Sequence, residues 1–199
     1  MSVIIQNKGS YSNSDAIINT INYITRNKRF GNEMDLLLYG GCGVDLNNIN
    51  SIIRSFIEVQ DAYGKYNKGR AVYHEFITFH DEETVDREGK DRIAVIASDY
   101  ARIFYFSGFQ VVYGIHCPKG KEKHIHYIVN AVNFMDGHKI RDSEIPKPEK
   151  IKFLGDVVKR SLGYIPGIYF DDNYNWIPRY YDTLKDSSDI FAFYECKKQ

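Results

Sequence analysis

The spacing of apolar residues along the chain changes between a helical period of about 3.6 and a strand period of about two. Ile17 begins a stripe of isoleucines at i, i+4 and i+7, which predicts a helix that either Asn13 or Ser14 can cap. Tyr23 lies near the end of this helix and off the apolar stripe. Its side chain is therefore expected to face away from the helix's buried side.

Three further helices and four strands are predicted in the same way. The helices are expected to run from Asp45, as the capping residue, through Ile57, from about Asp91 to Ser107, and from Glu149 to Leu162. The strands are expected at Ser2–Ile5, Ala71–Phe79, Phe109–His116 and His124–Phe134. This irregular alternation favours an α+β fold, with a central and largely antiparallel sheet flanked by helices.

Glycine and proline residues mark the joins between these elements. Three glycines, at positions 40, 41 and 43, predict a break in the chain before the second helix. Pro118 lies in the short segment between the last two strands, so these strands are expected to pair as an antiparallel hairpin. No repeat or long linker interrupts the sequence. We therefore expect one domain over residues 1–199, in which residues 141–199 form a helix and an aromatic extension.

Composition narrows the classes of function. The chain has 26 basic and 26 acidic residues, which argues against a protein that coats nucleic acid through bulk charge. Basic residues are nevertheless clustered locally, at Arg26, Lys28 and Arg29 and again at Lys119, Lys121 and Lys123. The three cysteines fit neither a disulfide framework nor a zinc ribbon. The apolar run at residues 3–5 is too short for a signal peptide, and no apolar run approaches the roughly 18 residues of a membrane span. We therefore expect a cytoplasmic protein with no membrane partner.

Three of the six histidines are predicted to meet on the hairpin. His124 and His126 are two residues apart on a strand, so their side chains share one face, and His116 ends the opposite strand. Three imidazoles can bind a divalent cation and leave coordination positions open. Cys117 could supply a fourth ligand, but it follows His116 directly, and on a strand its side chain would normally point to the other face. The alternative interpretation is that these histidines are ordinary strand residues with satisfied hydrogen bonds.

These residues resemble the motifs of the P-class plasmid-mobilisation relaxases (MobA type), which are HUH endonucleases. The segment Gly114–Asn133 resembles the three-histidine motif, Asn22–Arg26 resembles the catalytic-tyrosine motif, and Tyr73–Phe79 resembles the intermediate strand motif. The tyrosine precedes the histidines, as it does in relaxases. Rolling-circle replication initiators of the same superfamily carry the two motifs in the opposite order.

The resemblance implies a function and a set of residues. Tyr23 would attack single-stranded DNA at an origin of transfer and form a 5′-phosphotyrosyl bond, with Arg26 and His74 assisting. His116, His124 and His126 would bind the metal, which would be Mn²⁺ or Mg²⁺, although imidazole ligands also suit Zn²⁺. A relaxosome accessory protein and a coupling ATPase are implied as partners.

Several alternatives stay open at this point. The chain could be a nickase of the replication-initiator type, or a metal-binding or DNA-binding domain without catalytic activity. His74 could fill a purely structural position. Asn130 and Asn133 could orient the histidines or contact DNA, or they could stabilise the hairpin alone. An oxygenase with two histidines and a carboxylate is disfavoured, because no acidic residue has suitable spacing.

Overall fold

The computed structural model describes residues 2–7, 9–26, 35–79, 87–118, 123–141, 144–145, 149–150, 152–154, 157, 165–170, 176–181 and 193–195. Their helices and strands follow one another as β1 (Ser2–Asn7), α1 (Ala16–Thr25), β2 (Leu36–Cys42), α2 (Ile49–Ala62), β3 (Val72–Phe79), α3 (Arg87–Phe106), β4 (Phe109–His116), β5 (Lys123–Asn133), β6 (Ile165–Phe170), β7 (Trp176–Tyr181) and β8 (Phe193–Glu195).

Six of these strands form one sheet in the order β2-β4-β5-β3-β1-β8. The pairs β2–β4, β4–β5, β3–β5 and β1–β3 are antiparallel, and β1–β8 is parallel. Strands β6 and β7 form a separate antiparallel pair. The predicted α+β fold with a largely antiparallel sheet is therefore confirmed, and so is the hairpin formed by β4 and β5.

The central sheet is buried on both faces. On one face lie α1 and α2, whose apolar residues pack on Val72, Val112 and Ile128. On the other face, α3 packs on Ile77, Ile125 and further residues of β4 and β5. Because side chains alternate along a strand, every second residue of β3, β4 and β5 faces α1. The histidines of β5 are on this α1 face, since Ile125 and Tyr127 pack against α3.

The predicted break in the chain at Gly40, Gly41 and Gly43 is wrong, because residues 36–42 form strand β2. The glycines of this segment permit close packing of β2 on β4. A Cβ atom at Gly40 would lie 2.5 Å from the Tyr113 hydroxyl oxygen, and one at Gly41 would lie 2.6 Å from the Val111 carbonyl oxygen. In the middle of a strand, glycine can mark a close approach of two backbones as well as a turn.

Both predicted helix caps were also wrong. Asp15 occupies the N-cap of α1 and makes no side-chain capping hydrogen bond, so neither Asn13 nor Ser14 is the cap. Asn48 caps α2, because its side-chain oxygen accepts a hydrogen bond from the Ser51 amide at 2.9 Å. The Asp45 carboxylate accepts a hydrogen bond from the Asn47 amide and stabilises the turn before the helix.

The predicted helix at Glu149–Leu162 falls only partly on described residues. Residues 149–150, 152–154 and 157 are helical, and Leu154 and Val157 are buried against the α3 side of the sheet. The rest of that helix lies outside the described residues, as do Lys28, Arg29, Lys119 and Lys121. Within the described part of the chain, no helix is long and apolar enough to cross a membrane.

Candidate active site

Strand register brings the three hairpin histidines together on the α1 face. His116 pairs with His124 across β4 and β5, and Gly114 pairs with His126. The ring centroids lie 5.4 Å apart for His116 and His124, 5.2 Å for His116 and His126, and 4.9 Å for His124 and His126. Cys117 packs against the core on the α3 side.

Tyr23 reaches the same cluster from α1. Ile17, Ile21 and Ile24 are buried under the helix, while 37% of the Tyr23 side chain is exposed. Its ring centroid lies 5.4 Å from that of His126 and 6.2 Å from that of His74. The C-terminal end of α1 thus places a half-exposed phenol at the edge of the histidine cluster.

Arg26 lies directly after α1 and covers the phenol. Its guanidinium carbon is 4.1 Å from the centroid of the Tyr23 ring, which is a cation–π arrangement. The Nε atom of Arg26 is buried and makes no hydrogen bond within the described part of the chain. A buried N–H group of a guanidinium suits the oxygen of a bound anion, because an unsatisfied donor is unfavourable.

Gly114 allows α1 to approach the sheet this closely. A Cβ atom at this position would lie 2.2 Å from the carbonyl oxygen of Ile24. Nε2 of His116 lies 2.8 Å from the same carbonyl oxygen. Since a carbonyl only accepts, the imidazole donates here, and the end of α1 is tied directly to the histidine cluster.

The second nitrogen of His116 faces a carboxylate. Its Nδ1 atom lies 3.4 Å from Oδ1 of Asp35, and both side chains are buried. Neither carboxylate oxygen of Asp35 makes a hydrogen bond among the described residues. Both nitrogens of His116 therefore have polar groups close to them in this arrangement.

The histidine cluster fits a divalent ion in ligand type and in the spacing of its ring centroids. With metal–nitrogen bonds of about 2 Å, ring centroids around a shared ion are roughly 5 Å apart. In its present arrangement, however, no group of three His, Cys, Asp or Glu side chains among the described residues is disposed to hold a metal. His116 donates from Nε2 to the Ile24 carbonyl oxygen, so a neutral His116 keeps its lone pair on Nδ1.

His74 lies on β3 beside the metal-ligand candidates. Its Nε2 atom is 2.9 Å from Nδ1 of His126, and its Nδ1 atom is 3.0 Å from the Tyr11 hydroxyl. Burial lowers the pKa of His74 to about 4. An imidazole with this pKa is a weak base for a phenol of pKa about 10. The geometry therefore relates His74 to His126 more directly than to Tyr23.

His126 is also favoured in its neutral form. Burial is the main cause that lowers the pKa of His126. Positive charge on its neighbours would lower this pKa further, and these neighbours are His74, His124, His116 and Arg26. A neutral imidazole has the lone pair that a metal requires.

Asn130 and Asn133 lie at the other end of the hairpin and are structural. Asn130 is fully buried, donates to the Phe56 carbonyl and to Gln110, and accepts from Gln60. The side-chain Nδ2 of Asn133 donates to the Ser107 carbonyl, directly after α3. These hydrogen bonds join α2 and α3 to the sheet and do not reach the histidines.

Sequence reasoning missed two polar residues of this cluster and the role of a third residue. Tyr11 is in a loop and is one of 16 tyrosines, so its sequence position carried no signal. Asp35 is a single acidic residue before a strand that was not predicted. Gly114 was noted within the histidine motif, and a glycine inside a strand pattern is itself a sign of close backbone approach.

The amino-acid sequence matches one known protein family over much of its length. Residues 23–159 match a family model described as Relaxase: MobA/VirD2-like, nuclease domain. The match covers more than half of the chain and includes Tyr23, His74 and the three hairpin histidines. No curated protein sequence matches this chain.

Proposed function

Because the chain belongs to the relaxase family of MobA/VirD2-like nuclease domains, we propose that it nicks single-stranded DNA with Tyr23 as the nucleophile. One observation carries this proposal. The Tyr23 ring lies 5.4 Å from the His126 ring, at the edge of a cluster of three imidazoles on adjacent strands.

In the proposed reaction, the hydroxyl oxygen of Tyr23 attacks the phosphorus of the scissile phosphate. A bond forms between this oxygen and phosphorus, and the bond from phosphorus to the 3′ oxygen breaks. The proton that the phenol loses ends on the leaving 3′ oxygen, so the products are a 5′-phosphotyrosyl bond and a 3′-hydroxyl. Attack by a 3′-hydroxyl on the same phosphorus reverses these steps and reseals the strand.

Arg26 is proposed to bind the scissile phosphate. Its guanidinium lies over the Tyr23 ring and has a buried N–H group that makes no hydrogen bond within the described part. A phosphate oxygen would accept this hydrogen bond and place the phosphorus next to the phenol. Orientation of this kind can supply several kcal/mol of the barrier reduction in phosphoryl transfer.

His116, His124 and His126 are proposed to hold the divalent ion. When bound, the ion would withdraw electron density from a phosphate oxygen and stabilise the charge that develops in the transition state. Mn²⁺ or Mg²⁺ is proposed, and three imidazoles would also bind Zn²⁺ tightly. His74 is proposed to act through His126.

The biological setting is proposed from the family and from the order of the motifs. An origin of transfer would be the DNA site, and plasmid mobilisation in the cytoplasm would be the process. A relaxosome accessory protein and a coupling ATPase would be the partners. The tyrosine lies ahead of the histidines, which supports transfer over replication initiation.

The experiment is a search for a covalent complex. The protein is incubated with Mn²⁺ and a randomised pool of single-stranded oligonucleotides, and complexes that survive SDS are separated on a gel. The wild type is expected to form such a complex, and Tyr23→Phe is expected to form none. Tyr39→Phe, on β2, serves as the matched control and should behave as the wild type. A wild type that forms no complex with the pool, or a Tyr23→Phe variant that still forms one, contradicts the proposal.

A further inference from the structure

We propose that Tyr11 and His74 are positioning residues that stabilise the tautomer of His126 in which its Nε2 atom can bind the metal. This inference rests on the proposed function, because it gives His126 the role of a metal ligand. It adds Tyr11, which takes no part in the nucleophilic step, and it says how His74 acts on His126. It also gives Tyr11 a role that the family match, which begins at Tyr23, does not cover.

The three side chains form one chain of hydrogen bonds. His126 Nδ1 lies 2.9 Å from His74 Nε2, and His74 Nδ1 lies 3.0 Å from the Tyr11 hydroxyl oxygen. Only 6% of His126 and 7% of His74 is exposed, so water has little access to the hydrogen bond between them. Both nitrogens of His74 are engaged within this chain.

The loop that carries Tyr11 is held in place by the backbone. The carbonyl of Tyr11 accepts a hydrogen bond from the Ala71 amide at 2.8 Å, just before β3 begins. Tyr11 has a positive φ of 42°, a conformation that non-glycine residues rarely adopt. The edge of its ring also meets His74, with the centroids 6.1 Å apart. These contacts fix the hydroxyl against the imidazole.

The hydrogen-bond chain can run in two directions. If Tyr11 donates to His74, then His74 donates to Nδ1 of His126, and the hydrogen of a neutral His126 lies on Nε2. If His126 donates from Nδ1 to His74, then His74 donates to the Tyr11 hydroxyl, and Nε2 of His126 carries a lone pair. The second direction alone leaves a nitrogen of His126 able to bind a metal.

The Tyr11 hydroxyl makes the second direction possible. A hydroxyl can accept and donate, so it can receive the hydrogen of His74 without leaving that buried donor unsatisfied. His74 in turn presents a lone pair to Nδ1 of His126. This is the arrangement by which outer residues orient metal-binding histidines and increase their basicity, and loss of such a partner typically lowers metal affinity about 10- to 100-fold.

The first test measures Mn²⁺ binding by isothermal titration calorimetry, with no DNA present. His74→Leu removes the acceptor and should weaken Mn²⁺ binding by about 10- to 100-fold. His74→Gln keeps an acceptor near the same position and should recover most of that loss. Tyr11→Phe keeps the ring and removes the hydroxyl, and should weaken binding by a smaller factor. Wild-type affinity in His74→Leu would overturn the inference, as would equal losses in His74→Leu and His74→Gln.

A second test reads the tautomer in the wild type, so it does not depend on how the variants fold. Side-chain ¹⁵N NMR of the protein loaded with diamagnetic Zn²⁺ should show hydrogen on Nδ1 of His126 and on Nδ1 of His74. Hydrogen on Nε2 of either residue would overturn the inference.

Tyr23→Phe separates the two proposals. It should bind Mn²⁺ as the wild type does even though it forms no covalent complex. A covalent complex that depends on Tyr23 and needs no more Mn²⁺ in His74→Leu than in the wild type would leave the proposed function standing and refute this inference.

Discussion

A methyl group added at Gly114 would occupy space that the end of α1 now fills. The Cβ atom of an alanine would lie 2.2 Å from the Ile24 carbonyl oxygen and 3.0 Å from the Ile24 carbonyl carbon. Carbon and oxygen atoms in weak contact are normally about 3.3 Å apart or more, so the helix end has to move by about 1 Å. Both neighbours are backbone atoms, and no side-chain rotation relieves the overlap.

This displacement acts on Tyr23 and His116 together. Tyr23 directly precedes Ile24, and His116 is hydrogen-bonded to the Ile24 carbonyl at 2.8 Å. A misplacement of about 1 Å between reacting groups can lower the rate about 100-fold. Overpacking of this kind also lowers the free energy of unfolding by about 1–3 kcal/mol. Gly114→Ala is therefore expected to remain folded and to react about 100-fold more slowly.

The assay is the single-turnover rate of covalent complex formation with Mn²⁺, alongside urea unfolding. Gly64→Ala is the matched control, because no heavy atom lies within 4 Å of a Cβ there and its φ is +60°. That control should lose about 1–2 kcal/mol of stability with no change in rate. A Gly114→Ala variant that reacts at the wild-type rate would refute the proposed link between α1 and the histidine cluster.

Three further predictions concern buried polar groups. Lys150→Met leaves the buried Glu75 carboxylate without the ammonium that now contacts it, so the free energy of unfolding in urea should fall by about 3–5 kcal/mol. A second change, Glu75→Gln, should restore part of this loss. Equal stabilities of Lys150→Met and the wild type would contradict the prediction. Asn130→Leu breaks a fully buried network of hydrogen bonds and should lower the free energy of unfolding by about 3 kcal/mol. The Mn²⁺ affinity, measured by calorimetry, should stay unchanged. An altered affinity would show that the network reaches the histidines. Asp35→Asn removes a carboxylate charge 3.4 Å from His116 Nδ1, where it would favour a bound cation, and should weaken Mn²⁺ binding about 10-fold. An unchanged dissociation constant would show that Asp35 does not assist metal binding.

The parts of the site that follow from local geometry were predictable from the sequence. Alternation along a strand placed His124 and His126 on one face, and the short join containing Pro118 predicted the pairing that brings His116 opposite them. The helical period likewise placed Tyr23 on the exposed side of α1. Each of these predictions needs only residues that are near one another in the chain.

The parts that depend on distant residues were not predictable. The hydrogen bond between Tyr11 and His74 joins residues 63 positions apart, and the one between His116 and Ile24 joins residues 92 positions apart. No periodic pattern marks such pairs, since they follow from the order of strands in the sheet. The glycines of β2 misled the prediction for a related reason, because their close packing partners on β4 are distant in sequence.

The most direct test of the central claim is to locate the covalent bond to DNA on the protein. The covalent complex is digested, and the modified residue is identified by tandem mass spectrometry. Trypsin leaves Tyr11 and Tyr23 in one peptide, residues 9–26, so cleavage before Asp15 is needed to separate them. We predict that the nucleotide is attached to Tyr23 through its 5′ phosphate. Attachment to Tyr11 or to any other residue would contradict the account.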